Sequence, residues 1–117
     1  MALPKRFPDR EQIAAVRIDA DQVEAGEESG EPRRLAGRVM ARRDMGKLVF
    51  LDLVDRSGKI QLLVTEDRAG PVDLDLGDIV GVTGIPSKTK RGEPSLAVTE
   101  LELLAKIKRS LPDTFTA

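Results

Sequence analysis

Residues 47–65 read KLVFLDLVDRSGKIQLLVT. Two apolar runs flank Asp55-Arg56-Ser57-Gly58, four residues that all favour turns. Lys47 to Val54 and Lys59 to Thr65 are therefore expected to form two strands of a hairpin. A strand sends successive side chains to opposite faces. Val49, Leu51 and Leu53 share one face of the first strand, and Leu48, Phe50, Asp52 and Val54 the other. Ile60, Leu62 and Val64 share one face of the second, and Lys59, Gln61 and Leu63 the other. A four-residue loop sets Asp52 opposite Gln61 and makes Phe50 and Gln61 diagonal neighbours on one face. A three-residue loop with a bulge puts them on opposite faces.

Outward from the hairpin the same period of two continues. Leu35, Gly37, Val39 and Ala41 alternate with Ala36, Arg38, Met40 and Arg42, a preceding strand that ends at the turn Asp44-Met45-Gly46. Glu66 to Asp75 contains Gly70-Pro71 and reads as a connection. Asp78 to Ile85 is a fourth strand, Pro86 to Pro94 a polar, basic loop, and Ser95 to Lys106 a long fifth strand with a break near Glu100. Gly37, Gly81 and Gly84 fall inside strands, where glycine marks bends or bulges. Upstream, the period is helical. Pro8-Asp9 opens the helix, Asp9 caps it with Gln12 three residues on, and Ile13, Val16, Ala20 and Val23 form its apolar stripe. Gly26 ends it and Glu27 to Pro32 is a loop. One helix followed by five strands predicts a small barrel or sandwich.

The 117 residues, 40% of them apolar, suffice for one domain with a modest core. No apolar run approaches the roughly 20 residues of a membrane span. Met1 to Arg10 lacks the apolar centre of a secretory signal, so a cytoplasmic protein is expected. With neither Cys nor His, the chain is expected to have no disulfide, no metal site and no histidine base. GxGxxG, P-loop, HExxH and GxSxG motifs are all missing. A binding module is favoured over an enzyme.

The net charge of −1 conceals a segregation. Asp9 to Glu31 holds eight acids and two bases, whereas Arg33 to Lys47 holds six bases and one acid. Further basic clusters are Lys88, Lys90, Arg91 and Lys106, Lys108, Arg109. Local basic stripes bind phosphate even at zero net charge, because salt screens charges beyond about 8–10 Å. An aromatic ring beside an amide and arginines suits single-stranded RNA: the ring stacks on a base, the amide meets a base edge, the arginines meet phosphate. Against this, a strand Phe is most often core, a Gln most often surface, and a basic run most often a solvated face.

The chain resembles the N-terminal domain of bacterial class II lysyl-tRNA synthetases over almost its whole length. The resemblance lies in Gly37-Arg-Val-Met-Ala-Arg-Arg-Asp-Met-Gly-Lys47, Phe50-Leu-Asp-Leu, Gly58-Lys-Ile-Gln61, Asp75-Leu-Gly-Asp-Ile-Val-Gly81, Lys88-Thr-Lys-Arg-Gly-Glu93 and Leu103-Leu-Ala-Lys106. Arg6-Phe7 resembles that domain's entry, and Leu111-Pro-Asp-Thr-Phe115 its hinge toward a catalytic domain. The Arg-Arg-x-Met-Gly-Lys run with Ile-Gln is specific; the Leu-Gly-Asp-Ile strand is common to many OB domains.

The resemblance implies an all-β, five-stranded, Greek-key OB-fold barrel with an N-terminal α-helix. Residues 1–32 would form the helix and acidic loop, 33–109 the anticodon-binding barrel, and 110–117 the hinge. It implies that Phe50 stacks on the central anticodon uridine, that Gln61 and Arg43 recognise that base, and that Glu93 contacts a neighbouring one. Arg42, Lys47, Lys88 and Lys90 would hold tRNA phosphates. The partner would be a lysine-accepting tRNA. The larger protein would be a homodimeric, ATP-dependent lysine–tRNA ligase, with this chain alone a monomer. ATP and magnesium would belong to the catalytic domain, whose three class II motifs these residues lack, so the chain is expected to have no cofactor and no catalytic residue of its own. An aspartyl or asparaginyl relative, or a free-standing single-strand binder, are the alternatives.

Three positions depart from the family pattern. Glu66 to Asp75 is too short for most of the helix usual there, so part of the core is expected to be exposed or differently covered. Ser87 stands where an aromatic is usual. Pro94 follows Glu93, removing a ladder donor and fixing φ.

Overall fold

A computed structural model describes residues 10–70 and 72–106. Asp9, the Arg6-Phe7 entry, Lys108, Arg109 and the 110–117 hinge lie outside the described residues. The elements are α1 (Ile13–Ala20), β1 (Arg33–Met45), β2 (Leu48–Val54), β3 (Lys59–Thr65), α2 (Glu66–Ala69), β4 (Ile79–Lys88) and β5 (Pro94–Ala105). The strands close a barrel in the order β1-β2-β3-β5-β4, antiparallel except for the short parallel β3–β5 contact. This closed barrel is one of the two architectures that the residue pattern predicts and the one that the resemblance implies. Among the described residues, no helix is long and apolar enough to cross a membrane.

The alternating apolar residues fill the barrel. Leu35 and Val39, Leu51 and Leu53, Ile60, Leu62 and Val64, Val80 and Val82, and Leu96 and Val98 form one buried cluster. Each such side chain contributes about 1.5–3 kcal/mol relative to exposure. Ile13 and Val16 of α1 enter the same cluster, and Ala69, Val72 and Leu74 reach it from the connection after β3. The short connection is thus offset by α1 and by its own apolar residues.

Helix α1 is shorter than expected, and Val23 is buried beyond its end. Its N-cap residue is Gln12, whose side chain makes no capping bond. The first free N–H groups are satisfied from the hairpin turn instead. Ile13 N–H donates to Asp55 Oδ2 at 3.0 Å and Ala14 N–H to Ser57 Oγ at 2.9 Å. Asp55 Oδ1 also accepts from the Ser57 N–H, the Ser57 hydroxyl and the Gly58 N–H.

The ends of β1 and β4 differ from the sequence reading. β1 runs on to Met45, and the turn is Gly46-Lys47, with Gly46 at a left-handed φ of 65°. The four-residue loop holds for β2–β3, with Asp52 opposite Gln61. β4 extends through Pro86 to Lys88, pairing up to Lys88↔Pro94, so the expected loop is only the residues between. Pro86 fits because its carbonyl accepts from Ser29 N–H, so its missing donor also faces that side and not β5. The break near Glu100 is a register shift: Thr83 pairs with Glu100 and Gly84 with Val98, leaving Thr99 extra. At Gly84 an added Cβ would lie 2.5 Å from the Ala97 carbonyl oxygen, and at Gly37 2.5 Å from that of Val54. Both glycines permit close approach of strands.

Candidate nucleic-acid interface

The two faces of the hairpin separate core from site. Leu51 and Leu53 point into the barrel, so Phe50 and Asp52 point outward, and Gln61 and Leu63 join them from β3. Phe50 is half-buried and lies outside the core cluster. It is the only aromatic residue among those described.

A bulge brings the arginine to it. β1 pairs Val39 with Leu53 and then Ala41 with Asp52, leaving Met40 as the extra residue. Continued alternation would turn Arg42 outward and Arg43 inward; the bulge reverses both. Arg43 pairs directly with Phe50, and its guanidinium carbon stands 4.9 Å from the ring centroid.

Arg42 takes the other face, opposite Leu51. Its Nε donates to Asp44 Oδ1 at 2.8 Å and its Nη1 to the Leu74 carbonyl at 3.3 Å. The structure therefore groups Arg43, Phe50 and Gln61 and separates Arg42 from them. Lys47 is exposed in the β1–β2 turn, and Lys90 is exposed between β4 and β5. Lys88 is largely covered and donates to the Asp21 carbonyl at 2.7 Å.

Gln61 is half-buried and backed by β5. Its Nε2 donates to Ser95 Oγ at 3.1 Å, and the Ser95 hydroxyl donates to the Glu93 carbonyl at 3.0 Å. Glu93 itself sits in a turn closed by its N–H to Thr89 Oγ1 and by Thr89 N–H to its carbonyl. Its carboxylate is exposed, 3.6 Å from Arg17. Pro94 begins β5, a position where a missing donor is tolerated. Ser87 is buried opposite Ser95, and its hydroxyl has no hydrogen-bond partner.

The acidic N-terminal segment turns out to be the partner of basic groups. Arg33 is held by Glu11 and Asp19, Lys88 by Asp21, and Arg68 by Glu28. The Arg33 hydrogen bond holds the Glu11 carboxyl below its usual range. Lys106 bonds Asp75 and the buried Asp78, which push its ammonium up to about 12. Much of the basic charge visible in the sequence is thereby paired with acids. No signal in the sequence exposed Ser95, because its role depends on a parallel pairing across 34 residues.

A family model described as an OB-fold nucleic acid binding domain matches residues 34–104. The chain belongs to this family. The match covers the barrel except its end residues Arg33 and Ala105, so the OB-fold assignment rests on both geometry and sequence. Curated relatives of this OB-fold domain carry the name lysine–tRNA ligase. One from Dechloromonas aromatica is 44% identical, over 95% of this chain and 25% of its own length. One from Dehalococcoides mccartyi is 39% identical, over 91% of this chain and 22% of its own length. One from Haemophilus influenzae is 45% identical, over 85% of this chain and 21% of its own length. The chain thus spans about a quarter of the length of the relatives it matches.

Proposed function

We propose that this OB-fold domain binds the anticodon loop of a lysine-accepting tRNA. The observation that carries the reading is the shared outer face of Arg43, Phe50 and Gln61, in a chain whose relatives are named lysine–tRNA ligases. The central anticodon base stacks on Phe50, a mode that suits an OB barrel. Its edge meets the Gln61 amide, and Arg43 moves from the ring to the base or its phosphate. Glu93, exposed beside this face, meets a neighbouring base. Lys47 and Lys90 are the exposed cations for backbone phosphates; Arg42 and Lys88 join them only by leaving Asp44 and Asp21.

The domain holds the tRNA and does no chemistry. Within a larger cytoplasmic protein, ATP-dependent attachment of lysine would fall to other residues, which would also bind magnesium and form the homodimer; the domain alone would be a monomer. A single aromatic platform among the described residues favours reading one or two unstacked bases over coating a strand, for which several aromatics are usual.

Titration of anticodon stem–loops tests this. A loop with a UUU anticodon should bind more tightly than one with the same bases scrambled, and affinity should fall as salt rises. Equal affinity for the two loops would sink the specific reading.

A further inference from the structure

Ser95 lies directly opposite Gln61 in the β3–β5 pairing and is fully buried. Its Oγ is 3.0 Å from the Glu93 carbonyl oxygen and 3.1 Å from Gln61 Nε2. A carbonyl oxygen only accepts, so the single hydroxyl hydrogen of Ser95 belongs to Glu93. Only lone pairs of Ser95 then remain for Gln61. The amide must turn its NH2 inward to meet them. Reversing the amide would require the Ser95 hydroxyl to leave the Glu93 carbonyl and donate to Gln61 Oε1, so Ser95 would keep one hydrogen bond in place of two.

We infer that Ser95 is a positioning residue that fixes which end of the Gln61 amide faces a bound base. The inference rests on the proposed function and adds to it a source of specificity. Gln61 Oε1 is the end turned away from Ser95, accompanied by one spare N–H. An outward acceptor suits a base edge that carries an N–H. At ring position 3 uracil offers an N–H, whereas cytosine offers an acceptor there and carries its donor on the adjacent 4-amino group, so an acceptor held opposite position 3 suits uracil. A glutamine free to turn over would meet both equally well.

The test compares the 117-residue chain with Ser95→Ala and Ser95→Thr. The first measurement needs no RNA. In nitrogen-15 NMR spectra, one Gln61 side-chain amide proton should exchange slowly and lie away from the free-glutamine position, with Gln61→Met supplying the assignment. Ser95→Ala should return it to the free position, and Ser95→Thr should keep it. A wild-type Gln61 amide that looks like free glutamine overturns the inference.

The second measurement compares stem–loops that differ only by U or C at the central anticodon position. The wild type should prefer U by about tenfold or more. Ser95→Ala should bind with a ratio near one, and Ser95→Thr should restore the preference. An unchanged ratio in Ser95→Ala overturns the inference. Should Ser95→Ala fail to fold, the wild-type amide signal and the Ser95→Thr ratio still decide. A wild type that binds neither loop overturns the functional reading and, with it, Ser95 as a source of specificity; the amide signal, read without RNA, tells that failure apart from a misplaced hydrogen bond.

Discussion

The guanidinium of Arg43 covers the Phe50 ring at 4.9 Å from its centroid. The two are direct cross-strand partners on the outer face. Such a cation–π contact is worth about 0.5–1 kcal/mol at an exposed site. Stacking of a base on an aromatic ring is worth roughly 1–3 kcal/mol. A base that stacked here would therefore win the ring face and displace the arginine toward the base edge or its phosphate. Phe50→Ala should weaken stem–loop binding by roughly 1–3 kcal/mol with an unchanged circular dichroism spectrum. Arg43→Ala should cost less, because it removes a contact but frees the ring. Isothermal titration of both variants checks the order; a larger loss from Arg43→Ala would show that the ring is not the platform.

Adjacent arginines should behave differently. Arg42 lies on the opposite face, bonded to Asp44 and the Leu74 carbonyl. Arg42→Ala is expected to leave RNA affinity within about twofold, whereas Arg43→Ala should reduce it more and flatten its salt dependence. Binding curves at two salt concentrations separate the cases.

Acid should loosen the tie between helix and turn. Burial pushes the Asp55 carboxyl up, but the Ser57 hydroxyl and the Ile13, Ser57 and Gly58 N–H groups outweigh it and hold the carboxyl below its ordinary value. A depressed folded pKa gives stability that is complete above the unfolded value of ~3.9 and is lost as pH falls through the folded value. Asp55→Ala should cost about 1–3 kcal/mol near pH 7. The gap to wild type should narrow as pH falls below ~4. Urea unfolding across that range measures both.

Two glycines mark where strands pinch. A Cβ at Gly37 or Gly84 would meet a carbonyl oxygen at 2.5 Å. Backbone, not a flexible side chain, would have to yield. Gly37→Ala and Gly84→Ala should each destabilise by about 1–3 kcal/mol in thermal unfolding. An unchanged melting temperature at either would mean the strands are not in close approach there.

The hairpin was legible because Asp55 to Gly58 allows a regular four-residue loop and because the apolar residues on both sides keep one phase. Phe50 and Gln61 follow from that register. The bulge at Met40 was not. After Val39 the residues are Met, Ala, Arg and Arg, none of which betrays a change of phase, so continued alternation read equally well and exchanged the faces of Arg42 and Arg43. The end of β4 was hidden by Pro86, whose tolerance depends on the neighbouring Ser29 segment. The capping of α1 was hidden by distance: its acceptors lie 42 and 43 residues away.

Those remote caps impose an order of events on the chain. An eight-residue helix does not persist alone in water, since nucleation is costly and few bonds follow it. Here the groups that quench its first amides exist as a pair only once Asp55 to Gly58 has closed. Among the described residues, the element that comes first in the chain thus gains its caps only when the later segment that carries Phe50 and Gln61 has folded.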